Sequence, residues 1–306
     1  MKKKVLITGG AGFIGSAVAK KFIKEGFTVI GVDDLSSGHK KNIPNNIKFI
    51  KHDLSKKGLE KKIDKDIIYI LHLAGQSSGE ISFEDPITDL KKNTISTLNL
   101  IELSKNLRLK KFLYASSMSI YGDQVRQPVK EHFVPQPKSC YGIGKLSSEK
   151  YLDLFKKITP YINMRMFNVY GPGQDMVNLK QGMVSIYLSQ ALVNKKIIVK
   201  GGINRFRDFI FIKDVVDIWF MATVSKHKNL SLNIGTGKKN YVKTILKILE
   251  KKCDVKYTVK QNTLGDQHGI YANVNSLKKI FKKIKFTDID EGIEEFVNYE
   301  INKLGQ

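Results

Sequence analysis

The sequence contains little cysteine, little arginine and no long hydrophobic run. Two cysteines, Cys140 and Cys253, among 306 residues exclude a disulfide framework and favour a reducing compartment. The longest apolar run, residues 215–224, includes Asp217 and is far too short to span a membrane. Only three apolar residues lie between the basic N-terminus and the first glycines, too few for a signal-peptide core. We therefore predict a cytoplasmic protein with no stable membrane insertion.

The net charge of +23 comes almost entirely from lysine. The lysines are spread along the chain, with neither interleaved aromatic residues nor a recognised nucleic-acid-binding motif. This favours a solvated, lysine-rich surface and predicts no nucleic-acid partner, although nucleic-acid binding stays open as an alternative. No group of His, Cys, Asp and Glu has metal-ligand spacing, so no metal site is predicted.

A glycine turn follows the first apolar segment, residues 5–7, almost at once. Residues 8–16 read Thr-Gly-Gly-Ala-Gly-Phe-Ile-Gly-Ser, which predicts a strand, a tight turn and then a helix. Glycines let the backbone approach a diphosphate, and the helix directs its free N–H groups to the same place. The predicted cofactor-binding residues of this turn are Gly9, Gly12, Phe13, Ile14 and Gly15.

An acidic residue, Asp33, ends the second predicted strand, residues 27–32. It lies roughly 20 residues beyond the glycines, as in dinucleotide-binding folds, where such a carboxylate accepts hydrogen bonds from the adenosine ribose. It would repel the additional phosphate of NADP, so the predicted cofactor is NAD. Asp34 and Ser37 follow in the same turn and are included in the predicted cofactor site. The alternative is that Asp33 and Asp34 only begin a polar turn.

Strands and helices alternate through the first half of the chain, which predicts an α/β fold with a Rossmann-type, doubly wound parallel sheet. Further strands are predicted at 48–50, 67–71 and 111–115, and helices at 13–25, 88–107 and 141–156. We predict an NAD-binding domain at 1–167 and a smaller mixed α/β substrate-binding domain at 168–306. Residues 168–173 are predicted to be a loop, and segments around 205–237 to return to the Rossmann core.

Tyr141 and Lys145 are four positions apart and therefore share one helix face. Lowering a tyrosine pKa from about 10 to about 7 requires about 4 kcal/mol, which a lysine and a positively charged nicotinamide ring can supply. Ser117 ends a strand at the edge where open α/β sheets bind ligands, and it can hydrogen-bond the same substrate oxygen. We predict that these three residues are catalytic, the alternative being a chance Tyr-x-x-x-Lys spacing.

Together these motifs resemble the extended short-chain dehydrogenase/reductases, and within them the NAD-dependent nucleotide-sugar epimerase/dehydratase family, of which UDP-glucose 4-epimerase is a familiar member. The resemblance covers nearly the whole chain. It rests on the glycine turn with Asp33, His72-Leu73-Ala74, Ser116-Ser117, Tyr121-Gly122, Tyr141-x-x-x-Lys145, Asn168-Val169-Tyr170-Gly171-Pro172-Gly173, Arg207-Asp208-Phe209-Ile210, Asn233-Ile234-Gly235-Thr236-Gly237 and Gly265-Asp266.

The resemblance implies further roles. Tyr141 would take a proton from a sugar hydroxyl whose carbon gives a hydride to NAD, Lys145 would tune Tyr141 and hold the nicotinamide ribose, and Ser117 would polarise the oxygen. Residues 88–107 and 141–156 resemble the helices that form a four-helix dimer interface in the family, so the resemblance implies a homodimer. Further cofactor-binding residues implied are Asp53, Leu54, Leu73, Ala74, Gly75 and Asn93. Substrate-binding residues implied are Ser117 and Ser119, with Asn168 and Arg207 at the nucleotide diphosphate.

Two departures from the family pattern bear on the reaction. Family dehydratases carry an acid just after the catalytic Ser or Thr, whereas Met118 and Ser119 stand here, which disfavours elimination of water. Thr263 stands where many epimerases have an arginine for the diphosphate. The preferred prediction is 4-epimerisation of a nucleotide sugar in surface-polysaccharide or sugar-nucleotide metabolism. The alternatives are a reductase, dehydrogenase or dehydratase of the family, and a non-catalytic NAD-sensing scaffold.

Overall fold

The computed structural model describes residues 2–180, 182–260 and 268–305. The strands are β1 Lys4–Thr8, β2 Thr28–Asp33, β3 Lys48–Lys51, β4 Ile67–His72, β5 Lys111–Ser117, β6 Tyr161–Met166, β7 Asn168–Tyr170, β8 Lys196–Lys200, β9 Phe206–Arg207, β10 Phe209–Phe211, β11 Leu230–Ile234, β12 Asn240–Tyr241, β13 Lys256–Lys260 and β14 Gly269–Ile270. The α-helices are α1 Phe13–Lys24, α2 Gly79–Glu84, α3 Pro86–Leu90, α4 Ser96–Ser104, α5 Cys140–Leu154, α6 Met183–Asn194, α7 Ile212–Val224, α8 Val242–Cys253, α9 Asn275–Ile280 and α10 Ile289–Leu304. Thr263 and Gly265-Asp266 lie outside the described residues.

The chain forms two compact units, each made of several stretches. Unit 1 comprises Met1–Ile120, Pro137–Arg165 and Val216–Leu232. Unit 2 comprises Tyr121–Gln136, Met166–Val215 and Asn233–Gln306. The predicted boundary after residue 167 lies two residues beyond one of these divisions. Of the segment predicted to return to the Rossmann core, 216–232 lies in unit 1 and the rest in unit 2.

A seven-stranded sheet with the order β3-β2-β1-β4-β5-β6-β11 forms the core of the fold. The pairs β1–β2, β1–β4, β2–β3 and β4–β5 are parallel. All seven residues of β5 are buried, as expected for a strand covered on both faces. The strand order reverses at β1, so the carboxyl ends of β1 and β4 mark the point where doubly wound sheets bind ligands. The predicted Rossmann-type fold is confirmed.

Helix α1 begins directly after the glycine turn and ends where the sequence predicts. Gly26 has a φ of +81°, the left-handed conformation that terminates helices. Its N–H donates to the carbonyl of Ile23, and the N–H of Phe27 donates to that of Phe22. This closure brings the chain directly into β2 and fixes the position of Asp33 at its far end.

The prediction of one regular α-helix over 88–107 is wrong in one respect. Helices α3 and α4 are joined by a π-helical segment, Lys91–Ile95. The Ser96 hydroxyl donates to the Lys92 carbonyl, and the Thr97 hydroxyl donates to the Asn93 carbonyl at 2.8 Å. Ser148 from α5 also donates to the Asn93 carbonyl, at 3.0 Å. Side-chain hydroxyls thus satisfy carbonyls that a widened turn leaves without regular partners.

Among its described residues, unit 2 forms three small sheets. Strand β7 pairs with β10 in parallel, β9 lies between β12 and β14, and β8 pairs with β13 in parallel. The prediction of a loop over 168–173 is therefore wrong for Asn168–Tyr170. These three residues form a strand because their backbone pairs with Phe209–Phe211, a segment about 40 residues away that local sequence does not reveal.

Candidate active site

The glycine turn lies at the carboxyl end of β1 and is closely packed against its neighbours. A Cβ on Gly15 would lie 2.0 Å from the carbonyl oxygen of Gly9, so only glycine fits there. Gly9 has a φ of +69°, and a Cβ on it would lie 2.8 Å from the backbone nitrogen of Ala74. No side chain caps the first turn of α1, where Phe13 and Ile14 stand. The N–H groups of this turn are therefore directed to the space beside β1 and β4.

The Asp33 carboxylate lies beside this turn. It is buried, and it accepts hydrogen bonds from the backbone N–H groups of Ala11 at 3.0 Å and Leu35 at 2.8 Å. Burial raises the pKa of Asp33, and these two hydrogen bonds act in the opposite direction. Each carboxylate oxygen keeps a second lone pair, so Asp33 can still accept hydrogen bonds from ribose hydroxyls.

Lys92, which was not predicted at this site from the sequence, forms ion pairs with two of the predicted acidic residues. Lys92 Nζ forms ion pairs with Asp34 and, at 3.3 Å, with Asp53. Burial raises the pKa of Asp34, but hydrogen bonds from Lys92 and Ser36 outweigh it and the pKa lies below its usual range. Three carboxylates facing one ammonium leave this end negative, which disfavours a 2′-phosphate. Ser37 is exposed in the same loop, and Leu54 is buried beside Asp53.

Leu73, Ala74 and Gly75 follow β4 and bring this loop against the glycine turn. Ala74 N–H donates to Thr8 Oγ1 at 3.2 Å. A Cβ on Gly75 would lie 2.5 Å from Asn93 Oδ1 and 3.3 Å from Lys145 Nζ, so the predicted cofactor cleft and the predicted catalytic lysine meet here. Asn93 Oδ1 is buried and has no hydrogen-bond partner among the residues that the structure describes.

Tyr141 and Lys145 lie on the buried face of α5, together with Glu149 one turn further on. Ser139 caps the helix by accepting the N–H of Gly142 at 3.1 Å. Glu149 forms a buried ion pair with Arg165 of β6 at 2.7 Å and accepts the hydroxyl of Ser116 in β5. This pair fixes α5 against the sheet.

The Lys145 ammonium lies between two aromatic rings. Its Nζ is 5.1 Å from the ring centre of Tyr114 and 5.6 Å from that of Tyr141, within cation–π range. Burial lowers the pKa of Lys145 to about 8, and the charge of Asp89 opposes this shift. The ammonium thus remains the main form at neutral pH.

Burial dominates the electrostatics of Tyr141 in the protein without NAD. Burial raises the pKa of Tyr141 to about 12, the Ser117 hydroxyl acts to lower it, and the charge of Asp89 raises it. The sequence-based expectation assigned the lowering of this pKa to Lys145 together with a nicotinamide ring, and Lys145 alone does not produce it because the phenol is desolvated on α5. Additional positive charge is needed before Tyr141 can act as a base.

Ser117 ends β5, and a short 3₁₀ segment, Met118–Ile120, follows it. Ser117 Oγ donates to Ser119 Oγ at 3.2 Å and accepts the N–H of Ser119 at the same distance. A Cβ on Gly142 would lie 2.7 Å from the Ser119 carbonyl oxygen, which shows how closely α5 approaches this segment. The Ser117 hydroxyl is also within hydrogen-bonding reach of the Tyr141 side chain.

Asp89 is a residue of this site that was not predicted from the sequence, whereas Asn93 was expected here. Asp89 is buried in α3, and its Oδ1 accepts from Gln76 Nε2 at 2.9 Å and Asn93 Nδ2 at 3.0 Å. Two signals pointed to it: a spacing of four from Asn93, and a carboxylate within an apolar helical pattern. His72 is also buried, with its ring nitrogens bonded to Thr8 and Thr97.

Two predicted substrate-binding residues lie in unit 2. Asn168 in β7 donates from its backbone N–H and from Nδ2 to the carbonyl of Asp208, at 3.0 and 3.2 Å. Arg207 in β9 is buried, and its Nη1 donates to the carbonyl of Phe206 at 2.8 Å. Burial, together with the charge of Arg205, lowers the pKa of Arg207 to about 10. The two arginines repel each other, so an anion beside them would be stabilised.

Three observations show that the site in unit 1 described above, which we call the cradle, fits NAD. The glycine turn excludes every Cβ at Gly9 and Gly15, the first turn of α1 has no side-chain cap, and a buried acceptor, Asn93 Oδ1, lies beside Gly75. The acids at the end of β2 disfavour a phosphorylated ribose.

Within the described ranges, no group of three or more His, Cys, Asp and Glu side chains is arranged to hold a metal ion. In the same part of the chain, every helix is too short or too polar to cross a lipid bilayer.

The fold and this cradle define a dinucleotide-binding enzyme of the extended short-chain dehydrogenase/reductase class. A model of the NAD dependent epimerase/dehydratase family matches residues 5–235. The chain belongs to this family, and the predicted cofactor, NAD, is confirmed.

Three solved structures show the similarity over the whole chain. The UDP-glucose 4-epimerase of Thermotoga maritima, solved with UDP-glucose, is 33% identical, and the match covers 98% of this chain and 99% of that one with a TM-score of 0.94. The UDP-N-acetylglucosamine 4-epimerase of Methanobrevibacter ruminantium, in complex with UDP-N-acetylmuramic acid, is 31% identical, with coverages of 99% and 100% and a TM-score of 0.93. The UDP-glucose 4-epimerase of Thermus thermophilus, in complex with NAD, is 28% identical, with coverages of 97% and 98% and a TM-score of 0.88.

Proposed function

We propose that the protein is a nucleotide-sugar 4-epimerase that retains NAD between turnovers. The observation that carries the proposal is the hydrogen-bonding proximity of Ser117 and Tyr141, next to Lys145, with no carboxylate at positions 118 and 119. Such a site can move a proton to and from a hydroxyl but has no acid at these positions to expel water. Two of the most similar solved structures are 4-epimerases of UDP-sugars, which supports a UDP-sugar substrate.

The chemistry assigned to the chain is proton transfer at one sugar oxygen. Tyr141 takes the proton of the C4 hydroxyl and later gives it back, while Ser117 donates a hydrogen bond to the same oxygen as it becomes a carbonyl. Lys145 stabilises the phenolate through its charge. When bound, NAD would supply a reversible hydride acceptor for C4, so that the hydride could return to the opposite face of the 4-keto sugar, and it would supply the additional positive charge that Tyr141 needs.

We assign the cofactor to unit 1 and the nucleotide diphosphate to unit 2. In unit 1, Gly9, Gly12, Gly15 and the first turn of α1 would hold the diphosphate of NAD, Asp33 the ribose, and Gly75 with Asn93 the nicotinamide half. In unit 2, the buried Arg207 beside Arg205 would meet the substrate diphosphate, because an anion relieves the repulsion between the two guanidinium groups. Asn168 is assigned to the same group.

The test is interconversion of C4 epimers by NAD-loaded protein. UDP-glucose and UDP-galactose, and their N-acetyl forms, are to be supplied separately and the products separated by chromatography. We expect a C4 epimer to form with no net production of NADH. Stoichiometric NADH would instead identify a dehydrogenase, and a product lighter by one water a dehydratase.

Two variants separate catalysis from folding. Tyr141→Phe removes the proton-transfer group and is expected to lower kcat by at least about 100-fold. Tyr151→Phe makes the same change at a partly exposed tyrosine of the same helix, and its kcat is expected to equal that of the parent protein. Undiminished turnover by Tyr141→Phe contradicts the assigned role.

We also propose that the protein is a homodimer. Unit 1 exposes apolar side chains on α3 and α5, namely Ile87 (59% exposed), Ile143 (54%) and Leu154 (77%). Ile143 and Leu154 are eleven residues apart, which places them on one face of α5. A second copy of the chain would cover this face, as four helices do in the family that the sequence resembles.

A further inference from the structure

Asp89 is a buried carboxylate that the proposed mechanism does not use. It is 1% exposed, and its Oδ1 accepts two side-chain amide groups, Gln76 Nε2 at 2.9 Å and Asn93 Nδ2 at 3.0 Å. Both partners are donors, as an ionised carboxylate requires. Burial raises the pKa of Asp89, and the charge of Lys145 and these two hydrogen bonds act to lower it. A charge in this position influences every titrating group nearby, because the site is shielded from water.

Asn93 connects this carboxylate with the catalytic pair. Because Nδ2 of Asn93 donates to Asp89, its Oδ1 must point the other way, to the space beside Gly75 that Lys145 Nζ also borders. Asp89 Oδ2 faces α5, and a Cβ on Gly144 of that helix would lie 3.4 Å from it. The carboxylate thus lies beside the turn of α5 that joins Tyr141 to Lys145.

We propose that Asp89 is the buried counter-charge of the Tyr141–Lys145 pair, a positioning residue that orients the Asn93 amide and sets the pH range in which the pair works. The inference rests on the proposed catalytic roles of Tyr141 and Lys145. A negative charge keeps Lys145 protonated to higher pH and holds the proton on Tyr141 to higher pH. Asp89 therefore moves both limits of the active pH range upwards.

The other charged groups around Asp89 leave it as the main anion of this site. On α5, Tyr141 and Lys145 face it, and Glu149 is paired with Arg165. On β4, burial lowers the pKa of His72 to about 3, so His72 is neutral. In the π-helix Lys92 is paired with Asp34 and Asp53, and on α2 Glu80 and Glu84 are exposed.

The decisive variant is Asp89→Asn, which removes the charge and keeps the shape. The new carboxamide oxygen can still accept from Gln76 and Asn93, with its NH₂ group in the place of Oδ2. The matched control is Asp85→Asn, one turn earlier at the N-cap of α3, where the exposed carboxylate accepts the N–H of Thr88 at 2.9 Å. Asparagine caps helices as well as aspartate does, so this control changes only net charge.

Two measurements on NAD-loaded protein test the proposal. The pH profile of kcat for Asp89→Asn is expected to move to lower pH at both limbs, by about one unit, while that of Asp85→Asn stays in place. The tyrosinate absorbance of Tyr141 is taken as the difference between each protein and its Tyr141→Phe form. It is expected to appear at a pH about one unit lower in Asp89→Asn than in the parent protein. The second measurement needs no turnover, so it decides the proposal even if no nucleotide sugar is a substrate.

An unmoved profile with a lowered kcat would reduce Asp89 to a structural residue and overturn the proposal, and so would a shift to higher pH. Asp89→Ser, also neutral, is expected to reproduce the displacement if Asp89→Asn does not fold. Asp89→Glu keeps the charge and is expected to keep the parent profile within about half a unit.

Discussion

Replacing Gly15 by alanine tests the glycine turn directly. The added Cβ would lie 2.0 Å from the Gly9 carbonyl oxygen, and such contacts do not fall below 3.0 Å, so α1 and the turn must separate by at least 1.0 Å. Gly9 cannot retreat freely, because its carbonyl accepts the N–H of Gly12 at 3.0 Å and its Cα packs against residues 73 and 74. Overpacking of this kind costs about 1–3 kcal/mol.

The same displacement moves the first-turn N–H groups away from the proposed diphosphate position. A loss of about 1.4–2.7 kcal/mol in binding corresponds to a roughly 10- to 100-fold weaker affinity for NAD. Calorimetric titration of NAD into protein freed of its cofactor measures this loss directly. Thermal unfolding of the same samples measures the cost to the fold.

Two glycines serve as controls in this series. A Cβ on Gly12 would lie 3.2 Å from the Gly9 oxygen, so Gly12→Ala is expected to have an intermediate affinity. A Cβ on Gly202 would meet no atom within 4 Å, so Gly202→Ala is expected to match the parent protein. If Gly15→Ala binds NAD as tightly as Gly202→Ala does, the assignment of the diphosphate to this turn is wrong.

Two further predictions concern stability and assembly. Burial lowers the pKa of His72 to about 3, against 6.5 in the unfolded chain. The contribution of neutral His72 to the stability of the fold is therefore fully present above pH 6.5 and is lost as the pH falls towards 3. Between pH 6.5 and about pH 4, the free energy of unfolding of His72→Gln, measured with urea, is therefore expected to fall by about 3 kcal/mol less than that of the parent protein. Parallel plots of this free energy against pH would contradict the prediction. Leu154→Glu places a charge on the exposed apolar face of α5 and is expected to convert a dimer into a 34.7-kDa monomer in sedimentation. Val125→Glu, at a fully exposed valine in unit 2, is expected to leave the dimer intact, and a parent protein that is already monomeric refutes the proposed interface.

Local features of the fold could be predicted from the sequence because their signals are local. The glycine turn, the end of α1 at Gly26 and the position of Asp33 each depend on residues within one strand-turn-helix unit. The three-way contact of Gly75, Asn93 and Lys145 depends on tertiary packing. Only the resemblance to a known family indicated that these residues belong together.

Other features depend on distant partners and escaped prediction. The π-helix is satisfied in part by Ser148, which lies 55 residues beyond Asn93 in the sequence. Strand β7 exists through pairing with β10. The pKa of Tyr141 rises because of burial, a quantity that the Tyr-x-x-x-Lys spacing does not contain. Asp89 and Lys92 escaped prediction because charged residues on a helix are usually solvated.

The π-helical segment gives two adjacent residues different tasks. Lys92 pairs with the carboxylates of Asp34 and Asp53, and Asn93 faces Gly75 and the proposed catalytic lysine, Lys145. Deleting one residue from this segment would restore a regular α-helix, and the side chains within the segment would then no longer keep their present directions. The length of the helix at this point and the directions of the Lys92 and Asn93 side chains therefore depend on each other. A chain of this architecture would be expected to tolerate insertions in its surface loops long before it tolerated one here.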